Sequence, residues 1–266
     1  MRRQITGFSN PALKAIRGLR EKKHRRREGK FLAEGLRLLA DARASGHVPE
    51  TLLMATGRAP HPLLDAIEAD VAAAGGEVIE LPAELLAKVT GKDNPQAVAG
   101  VFADLSTSLA ALDRSAAPLW LAAHALRDPG NLGTMLRTAD AVGAGGLVLI
   151  DDCADPFSVE AVRASMGAVF TVPVAQARWD AFETWLRQGP AQLVGASLRD
   201  AEPYRAAAYA APCFILVGNE SRGLPEAYEA ACDLRVTIPM LGRADSLNAA
   251  VAGAVLAYEA LARLAW

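Results

Sequence analysis

The sequence predicts an α/β protein, and the spacing of its apolar residues is the main reason. Short apolar runs typical of strands alternate with longer amphipathic stretches typical of helices along most of the 266 residues. Hydrophobic residues make up 52% of the chain and charged residues 22%, which is enough for a sizeable core. The length exceeds one average domain, and a stretch rich in serine and alanine interrupts the pattern near its middle. We therefore predict two α/β domains, 1–106 and 118–266, joined by a linker at 107–117.

The first domain is predicted to begin with a basic arm and to continue as a small α/β module. Residues 10–28 are compatible with a helix, but their charge favours an arm over a core element. Beyond Gly29 the elements alternate, and helices are predicted to end at glycines such as Gly46 and Gly75. The predicted strands and helices are 31–33, 35–45, 51–55, 62–74, 77–81, 83–89 and 98–102.

Positive charge is concentrated at the amino-terminal end of the chain. Residues 1–30 contain eleven lysines and arginines against two glutamates, although the whole chain has a net charge of −2. A continuous basic block on an otherwise acidic protein indicates a polyanionic partner, with a solvated tail as the alternative. Arg25, Arg26 and Arg27 belong to the KKHRRR cluster of this block and are the residues predicted to contact the nucleic acid.

Composition also argues against several other classes of protein. No apolar run approaches the roughly 20 residues that span a bilayer, and the basic amino-terminal stretch is followed by no apolar signal segment. Cys153, Cys213 and Cys232 lack metal-ligand spacing, and an odd number of cysteines fits a reducing cytosol. The four histidines form no local cluster. We expect a cytoplasmic protein with no metal site and no membrane association.

The second domain is predicted to contain a parallel sheet with helices on both faces. Its strand and helix pattern repeats at a spacing that is typical of parallel crossover units. Pro156 is compatible with the start of a helix in the second repeat. The predicted elements are 119–123, 132–142, 147–150, 155–166, 170–174, 179–188, 192–196, 214–217, 234–239 and a long final helix that begins at Asp245 or Ser246.

Two glycine-containing polar turns follow the last two predicted strands. One is Gly218–Gly223, and the other surrounds Gly242. Turns at the carboxyl ends of strands in an α/β sheet bare backbone N–H and C=O groups and often bind a small ligand. A dinucleotide fold is disfavoured, because neither a G-x-G-x-x-G nor a Walker sequence is present.

Three segments together resemble the motifs of the SpoU/TrmH branch of the SPOUT RNA methyltransferases. They read DPGNLGTMLRTADAVGA, LVGNESRGL and IPMLGRADSLNAAVAGAVLAYE, and they occur in that order along the chain. The resemblance covers residues 119–259, and residues 25–104 are more weakly similar to the substrate-binding domain that often precedes it. It implies a deep trefoil knot in the second domain, an RNA-binding first domain, and S-adenosylmethionine as cofactor.

The resemblance also assigns roles to individual residues. It implies a catalytic set of Asn131, Arg137, Glu220, Ser246 and Asn248. The residues that it implies for holding S-adenosylmethionine, largely through their backbone, are Leu216, Gly218, Ile238, Met240 and Leu247. Without the resemblance, Asn131 and Ser246 would be read as helix caps and Arg137 as a solvated helix residue.

The chemical role of Arg137 stays open at this stage. A ribose hydroxyl is a poor nucleophile at neutral pH, so its methylation requires proton removal or stabilisation of the forming oxyanion. The very high pKa of a guanidinium conflicts with a literal base, although a phosphate could relay the proton. Arg137 is therefore expected to be essential, either as a base or as an electrostatic stabiliser.

The final helix places apolar residues at helical spacing along one stripe. They are Leu247, Val251, Ala254, Val255, Tyr258, Leu261 and Ala262. So apolar a stripe is either core or a subunit contact. The resemblance implies a homodimer formed through this region.

The resulting prediction is methylation of a ribose 2′-hydroxyl in structured RNA, with ribosomal RNA favoured over transfer RNA. One alternative is a non-catalytic RNA-binding or assembly factor on the same fold, which the intact catalytic set disfavours. A second is methylation of a base by another knotted branch. The sequence identifies neither the RNA nor the nucleotide.

Overall fold

The computed structural model describes residues 1–91 and 96–264. The first 105 residues contain β1 (Arg2–Gln4), α1 (Pro11–Gly18), α2 (Lys22–Glu28), β2 (Lys30–Glu34), α3 (Leu36–Ala44), β3 (Thr51–Ala55), α4 (Pro62–Ala73), β4 (Glu77–Leu81), α5 (Ala83–Thr90) and β5 (Val98–Ala103).

The remainder of the chain, as far as residue 264, begins with a 3₁₀ helix at Leu109–Ala111 and continues through thirteen strands and helices. They are β6 (Leu119–His124), α6 (Pro129–Ala141), β7 (Leu147–Ile150), α7 (Val159–Ala164), α8 (Ala168–Thr171), β8 (Val174–Ala177), α9 (Trp179–Leu186), β9 (Gln192–Ala196), β10 (Glu202–Pro203), β11 (Cys213–Val217), α10 (Glu226–Ala231), β12 (Leu234–Thr237) and α11 (Ala249–Leu264). No helix in the described ranges is long and apolar enough to cross a membrane.

The chain divides into two compact units. The first unit comprises Met1–Leu105 and Asp155–Thr171, and the second comprises Ser106–Ala154 and Val172–Trp266. Residues 155–171 thus pack with the amino-terminal part, whereas the sequence analysis assigned them to the second domain. The predicted domain boundaries themselves stay a prediction.

A five-stranded mixed sheet, in the order β1-β4-β3-β5-β2, organises the first unit. The β1-β4 and β3-β4 pairs are parallel, and the β3-β5 and β2-β5 pairs are antiparallel. Strand β1 was not predicted, because its charged residues Arg2 and Arg3 give no apolar alternation.

The amino-terminal segment is not a free arm, which corrects the sequence prediction. Helices α1 and α2 cover residues 11–28, and Leu13, Ile16 and Leu19 are buried in the core of the first unit. Each of these leucine or isoleucine side chains contributes about 1.5–3 kcal/mol when it is removed from water. The helices are therefore held by the core, and their positive charges occupy fixed positions.

Arg25 is a structural residue, which also departs from the prediction that it binds RNA. Only 4% of the residue is exposed. Its guanidinium donates to Asp155 Oδ2 at 2.7 Å and to the carbonyl oxygens of Leu19 and Arg20, each at 2.8 Å. With its donors directed into the protein, Arg25 is not available to a phosphate.

Segment 155–171 completes the first unit with aromatic side chains. Phe157 stacks on Phe31 with ring centroids 4.9 Å apart, and Phe170 lies 4.9 Å from Phe102. The predicted strand at 170–174 is wrong, since Phe170 belongs to α8 and the strand begins at Val174. Phe170 satisfies an apolar pattern in either conformation, so periodicity alone could not place it.

The second unit contains a seven-stranded, wholly parallel sheet in the order β10-β12-β9-β11-β6-β7-β8, which confirms the predicted parallel sheet. Trp179 and Phe182 of α9 pack with Phe214 of β11 on one face. On the opposite face, Gly253 of α11 approaches Met135 of α6 and Val217 of β11. Helices thus cover both faces. The trefoil knot stays a prediction.

We expect Arg25→Gln to lower the free energy of unfolding by about 3 kcal/mol, because it removes a buried cation and leaves the partly buried Asp155 carboxylate without its partner. Arg26→Gln is the matched control: its side chain is exposed on the same helix, and a change within about 0.5 kcal/mol is expected. Urea unfolding followed by circular dichroism measures both. Equal effects of the two substitutions would contradict a structural role for Arg25.

Candidate active site

Asn131, Glu220 and Asn248 form a hydrogen-bonded cluster in the second unit. Asn131 Nδ2 donates to Glu220 Oε1 at 3.0 Å, and Asn248 Nδ2 donates to Asn131 Oδ1 at 2.8 Å. The residues belong to the first turn of α6, the turn after β11 and the start of α11. Three of the five predicted catalytic residues are therefore in direct contact.

The way α6 begins leaves the side chain of Asn131 free for this cluster. Asp128 caps the helix, since its Oδ1 accepts from the backbone N–H of Asn131 at 2.7 Å. Pro129 occupies the first helical turn, where its missing N–H costs nothing. Helix α6 thus begins three residues before the predicted start at Leu132, and Asn131 is not its cap.

The turn after β11 is closed around Asn219. The Nδ2 of Asn219 donates to the Ala125 carbonyl at 2.9 Å, and its Oδ1 accepts from the N–H groups of Ser221 and Arg222 at 3.0 and 3.2 Å. A second bond runs from the same Nδ2 to Glu220 Oε2 at 3.3 Å. The Glu220 carboxylate is thus oriented by amides on both of its oxygens.

Gly218 is required by the turn itself. A Cβ at this position would lie 2.2 Å from the carbonyl carbon of Gly223 and 2.5 Å from the Leu224 nitrogen. Close approach of two backbone segments therefore selects glycine here. The resemblance implied that the Gly218 backbone helps to hold the cofactor, whereas the crowding at this position comes from the protein itself.

Helix α11 begins at Ala249, later than the predicted Asp245 or Ser246. Asn248 is its cap, with Oδ1 accepting from the N–H groups of Ala250 and Val251 at 2.9 and 3.2 Å. A single asparagine therefore caps α11 and joins the cluster through its Nδ2. Ser246 precedes the helix and is exposed.

Arg137 does not join the cluster. It lies six residues beyond Asn131 on α6, which corresponds to about 9 Å along the axis and about 120° around it. The side chain is exposed, and it makes no hydrogen bond or ion pair within residues 1–91 and 96–264. Its guanidinium is therefore free to meet an anion.

A cavity of about 370 Å³ lies at the ends of β9, β11 and β12, beside the start of α11. Four of the predicted cofactor-binding residues line it: Gly218, Ile238, Met240 and Leu247. Leu216 does not, because its side chain is fully buried with the aromatic residues beneath α9. Glu220 and Ser246 also line the cavity.

The lining fits a nucleoside. Ile238, Met240 and Leu256 supply apolar surface for a base, while the segments after β9 and β11 supply hydroxyl, carboxylate and guanidinium groups. Sequence reasoning missed the polar residues Ser197, Arg199 and Glu229. Ser197 and Arg199 could have been found from their position in the sequence. They directly follow the strand β9, just as the two glycine-containing turns follow their strands.

Next to this site, His124, Asp151 and Tyr228 hold the ends of β6 and β7. Tyr228 donates to Asp151 Oδ2 at 2.8 Å, and His124 Nε2 lies 3.5 Å from the same oxygen. Burial lowers the pKa of His124, against the opposing charge of Asp151. Burial and the bond to Asp151 raise the pKa of Tyr228 to about 12. The two rings are therefore uncharged at neutral pH.

In the described ranges, the structure offers neither a reactive thiol nor a cluster of metal ligands. Burial raises the pKa of Cys153 to about 11 and of Cys213 and Cys232 to about 12. These thiols therefore stay protonated at neutral pH and are poor nucleophiles. Within the same ranges, His, Cys, Asp and Glu side chains form no group of three or more that could hold a metal ion.

Comparison with known proteins finds a matching family for each half of the chain. Residues 118–258 match the SpoU rRNA Methylase family, and residues 10–100 match the MRM3-like substrate binding domain. The chain is 32% identical over 258 residues to a 23S rRNA (guanosine(2553)-2′-O)-methyltransferase of Bacillus subtilis (strain 168), covering 97% of this chain and 98% of the relative.

Two solved structures extend the similarity to the fold. The AdoMet-bound rRNA methyltransferase from Sinorhizobium meliloti is 39% identical, with a TM-score of 0.91 and 97% of each chain covered. The SpoU methyltransferase AviRb from Streptomyces viridochromogenes, in complex with AdoMet, is 29% identical, with a TM-score of 0.85, covering 96% of this chain and 98% of that one. The chain therefore belongs to the SpoU rRNA methylase family of S-adenosylmethionine-dependent RNA 2′-O-methyltransferases.

Proposed function

We propose that this enzyme methylates a ribose 2′-hydroxyl of ribosomal RNA. The observation that carries the proposal is the cluster of Asn131, Glu220 and Asn248 beside a nucleoside-sized cavity. Ribosomal RNA is favoured because the Bacillus subtilis relative and the Sinorhizobium meliloti structure are both named for it. A cytoplasmic location is part of this proposal, because a ribosomal RNA substrate would be met there.

Different residues of the site bind the cofactor and contact the RNA. S-adenosylmethionine supplies an electrophilic methyl group when it is bound, and the residues that line the cavity, Ile238, Met240 and Leu247 among them, would hold it. The 2′-hydroxyl must lose its proton as its oxygen is methylated, and we assign that proton to a phosphate oxygen of the RNA, since a guanidinium does not accept it at neutral pH. Glu220, oriented by Asn131 and Asn219, accepts hydrogen bonds from the RNA, and Asn248 fixes Asn131 in turn.

We assign Arg137 the role of electrostatic stabiliser. Its side chain is exposed and lacks an acidic partner in the described ranges. A guanidinium remains protonated at neutral pH, so it lowers the energy of a developing oxyanion without accepting the proton. A base would require a deprotonated arginine, which the pKa of the group disfavours.

Arg137 could meet the cluster of a second subunit in a homodimer. Of the apolar stripe on α11, Val251 is 46% and Tyr258 54% exposed, and Leu247, just before the helix, is 38% exposed. The core instead receives Gly253, Leu256, Ala257 and Ala260 from the opposite face. Of the two readings of the stripe, the exposure of these side chains favours a subunit contact.

RNA contact by the first unit is proposed at a basic cleft of about 570 Å³. Lys14, Arg17, Arg20 and His24 line it, with Gly18, Glu21 and Glu160. Lys14, Arg17 and Arg20 make no ion pair within the described ranges, whereas Arg2 and Arg3 are paired with glutamates. Unneutralised charges are those that gain most from a phosphate. Arg26, which is exposed, remains a candidate on the same grounds, whereas the exposed Arg27 is paired with Glu28 at 2.8 Å and is the weaker candidate.

Arg137→Ala should abolish methyl transfer to ribosomal RNA and leave the affinity for S-adenosylhomocysteine within about twofold, because Arg137 does not line the cavity. The wild-type enzyme should yield 2′-O-methylnucleosides on digestion of the product RNA. Transfer from labelled S-adenosylmethionine and calorimetry provide the two readouts. A methylated base as product, or no transfer to any ribosomal RNA, would refute the proposed reaction; loss of cofactor affinity would refute the role of Arg137.

Lys14→Gln with Arg17→Gln should weaken binding to all RNAs alike. The slope of log affinity against log salt should fall by about 0.7 for each lost contact to a single strand and by about 0.9 on a duplex. Arg2→Gln with Arg3→Gln is the matched control, since it removes the same charge from paired residues. If both double variants change the slope equally, only net charge matters and the cleft is not the contact site.

Two inactive variants, Arg137→Ala and Glu220→Ala, should complement each other when they are co-expressed. If subunits exchange at random, about half of the dimers are mixed, and each mixed dimer has one intact site in two, giving roughly a quarter of wild-type activity. Glu220 is chosen because Asn248 also caps α11, so its removal would destabilise the helix. Absence of activity in purified mixed dimers would exclude a shared site.

A further inference from the structure

Glu229 is a buried carboxylate in the wall of the cofactor cavity. The residue belongs to α10, is 6% exposed and lines the cavity. Burial of a charged group is costly unless hydrogen bonds or an opposite charge compensate for the lost water. The partners of Glu229 therefore indicate what the position is built for.

Glu229 has fewer partners than its burial requires. Oε1 accepts from Ser197 Oγ at 2.7 Å, and Oε2 lies 3.5 Å from Arg199 Nε, which is an ion pair but not a hydrogen bond. No other side chain or backbone group in the described ranges donates a hydrogen bond to the Glu229 carboxylate. A carboxylate can accept about four hydrogen bonds, so most of its capacity remains unused.

The surroundings indicate which group of a ligand would use that capacity. Ser197 directly follows β9, which lies between β11 and β12. Apolar surface for the base comes from residues after β12, Ile238 and Met240, and the reacting centre is marked by Glu220 after β11. In an adenosine derivative, the ribose connects the base to the reacting group. Its two vicinal hydroxyls are donors of the kind that a carboxylate binds in other nucleotide sites.

We propose that Glu229 binds the ribose hydroxyls of S-adenosylmethionine and that Ser197 orients its carboxylate. The assignment rests on the proposed function, which puts the cofactor in this cavity. The amino group of the methionine part is the competing donor. It is disfavoured because the Arg199 guanidinium already lies beside the carboxylate and would repel a second cation.

Isothermal calorimetry with fragments of the cofactor tests the assignment without turnover. 5′-Deoxy-5′-methylthioadenosine has the ribose but no amino acid, and its 2′,3′-dideoxy analogue lacks the hydroxyls. The wild-type enzyme should bind the dideoxy analogue about tenfold or more weakly, as expected for loss of hydrogen bonds to a charged group. Glu229→Gln should weaken binding of methylthioadenosine by a similar factor and remove the difference between the two compounds.

Glu226→Gln is the matched control, because Glu226 lies on the same helix near Arg199 but its side chain is 89% exposed and does not line the cavity. It should leave both affinities unchanged. Equal binding of the two compounds by the wild-type enzyme would overturn the proposal, even if Glu229→Gln failed to fold. So would a Glu229→Gln defect seen with S-adenosylhomocysteine but not with methylthioadenosine, since it would place the amino group at Glu229. Failure of the wild-type enzyme to bind S-adenosylhomocysteine would instead overturn the cavity's assignment to the cofactor.

Discussion

The chain of amide hydrogen bonds from Asn248 through Asn131 to Glu220 is the constraint on which the site depends. It ties the start of α11, the first turn of α6 and the turn after β11, three segments far apart in sequence. Each amide has a fixed direction of donation, so the bonds specify orientation as well as distance. Gly218 and Asn219 hold the last of the three segments in the shape that presents Glu220. The Glu220 carboxylate, to which the proposed function gives a role in the reaction, is thus positioned by residues that need carry no charge of their own.

Much of the second unit follows from the sequence because its strands and helices repeat at regular spacing. The positions of Asn131, Glu220 and Asn248 at element ends were also predictable, since polar residues bounded apolar runs. The starts of the helices were less predictable. Asp128 and Asn131 are chemically similar candidates for the cap of α6, and Ser246 and Asn248 are similar candidates for the cap of α11. Only the structure decides which side chain bonds to the backbone and which remains free.

The first unit was harder to predict, because some of its charged residues are buried and paired while others are exposed. Arg25 and Arg26 are neighbours in a single basic run, yet one is buried against Asp155 and the other is exposed. Local composition does not reveal a partner 130 residues away. Glu229 illustrates the same limit, since its burial arises from the packing of α10 near the end of β9. Side chains of one type are thus distinguished by tertiary contacts.

The assignment of Asp155–Thr171 to the first unit has a consequence for engineering and for evolution by domain exchange. A recombinant that joined the first 105 residues to another catalytic half would lose the native partners of Phe31, Phe102 and Arg25 together. A graft that carried residues 155–171 with the amino-terminal half would keep those contacts. The first unit is therefore discontinuous in the sequence, and an exchange that preserves its packing has to transfer the seventeen residues 155–171 as well as the first 105.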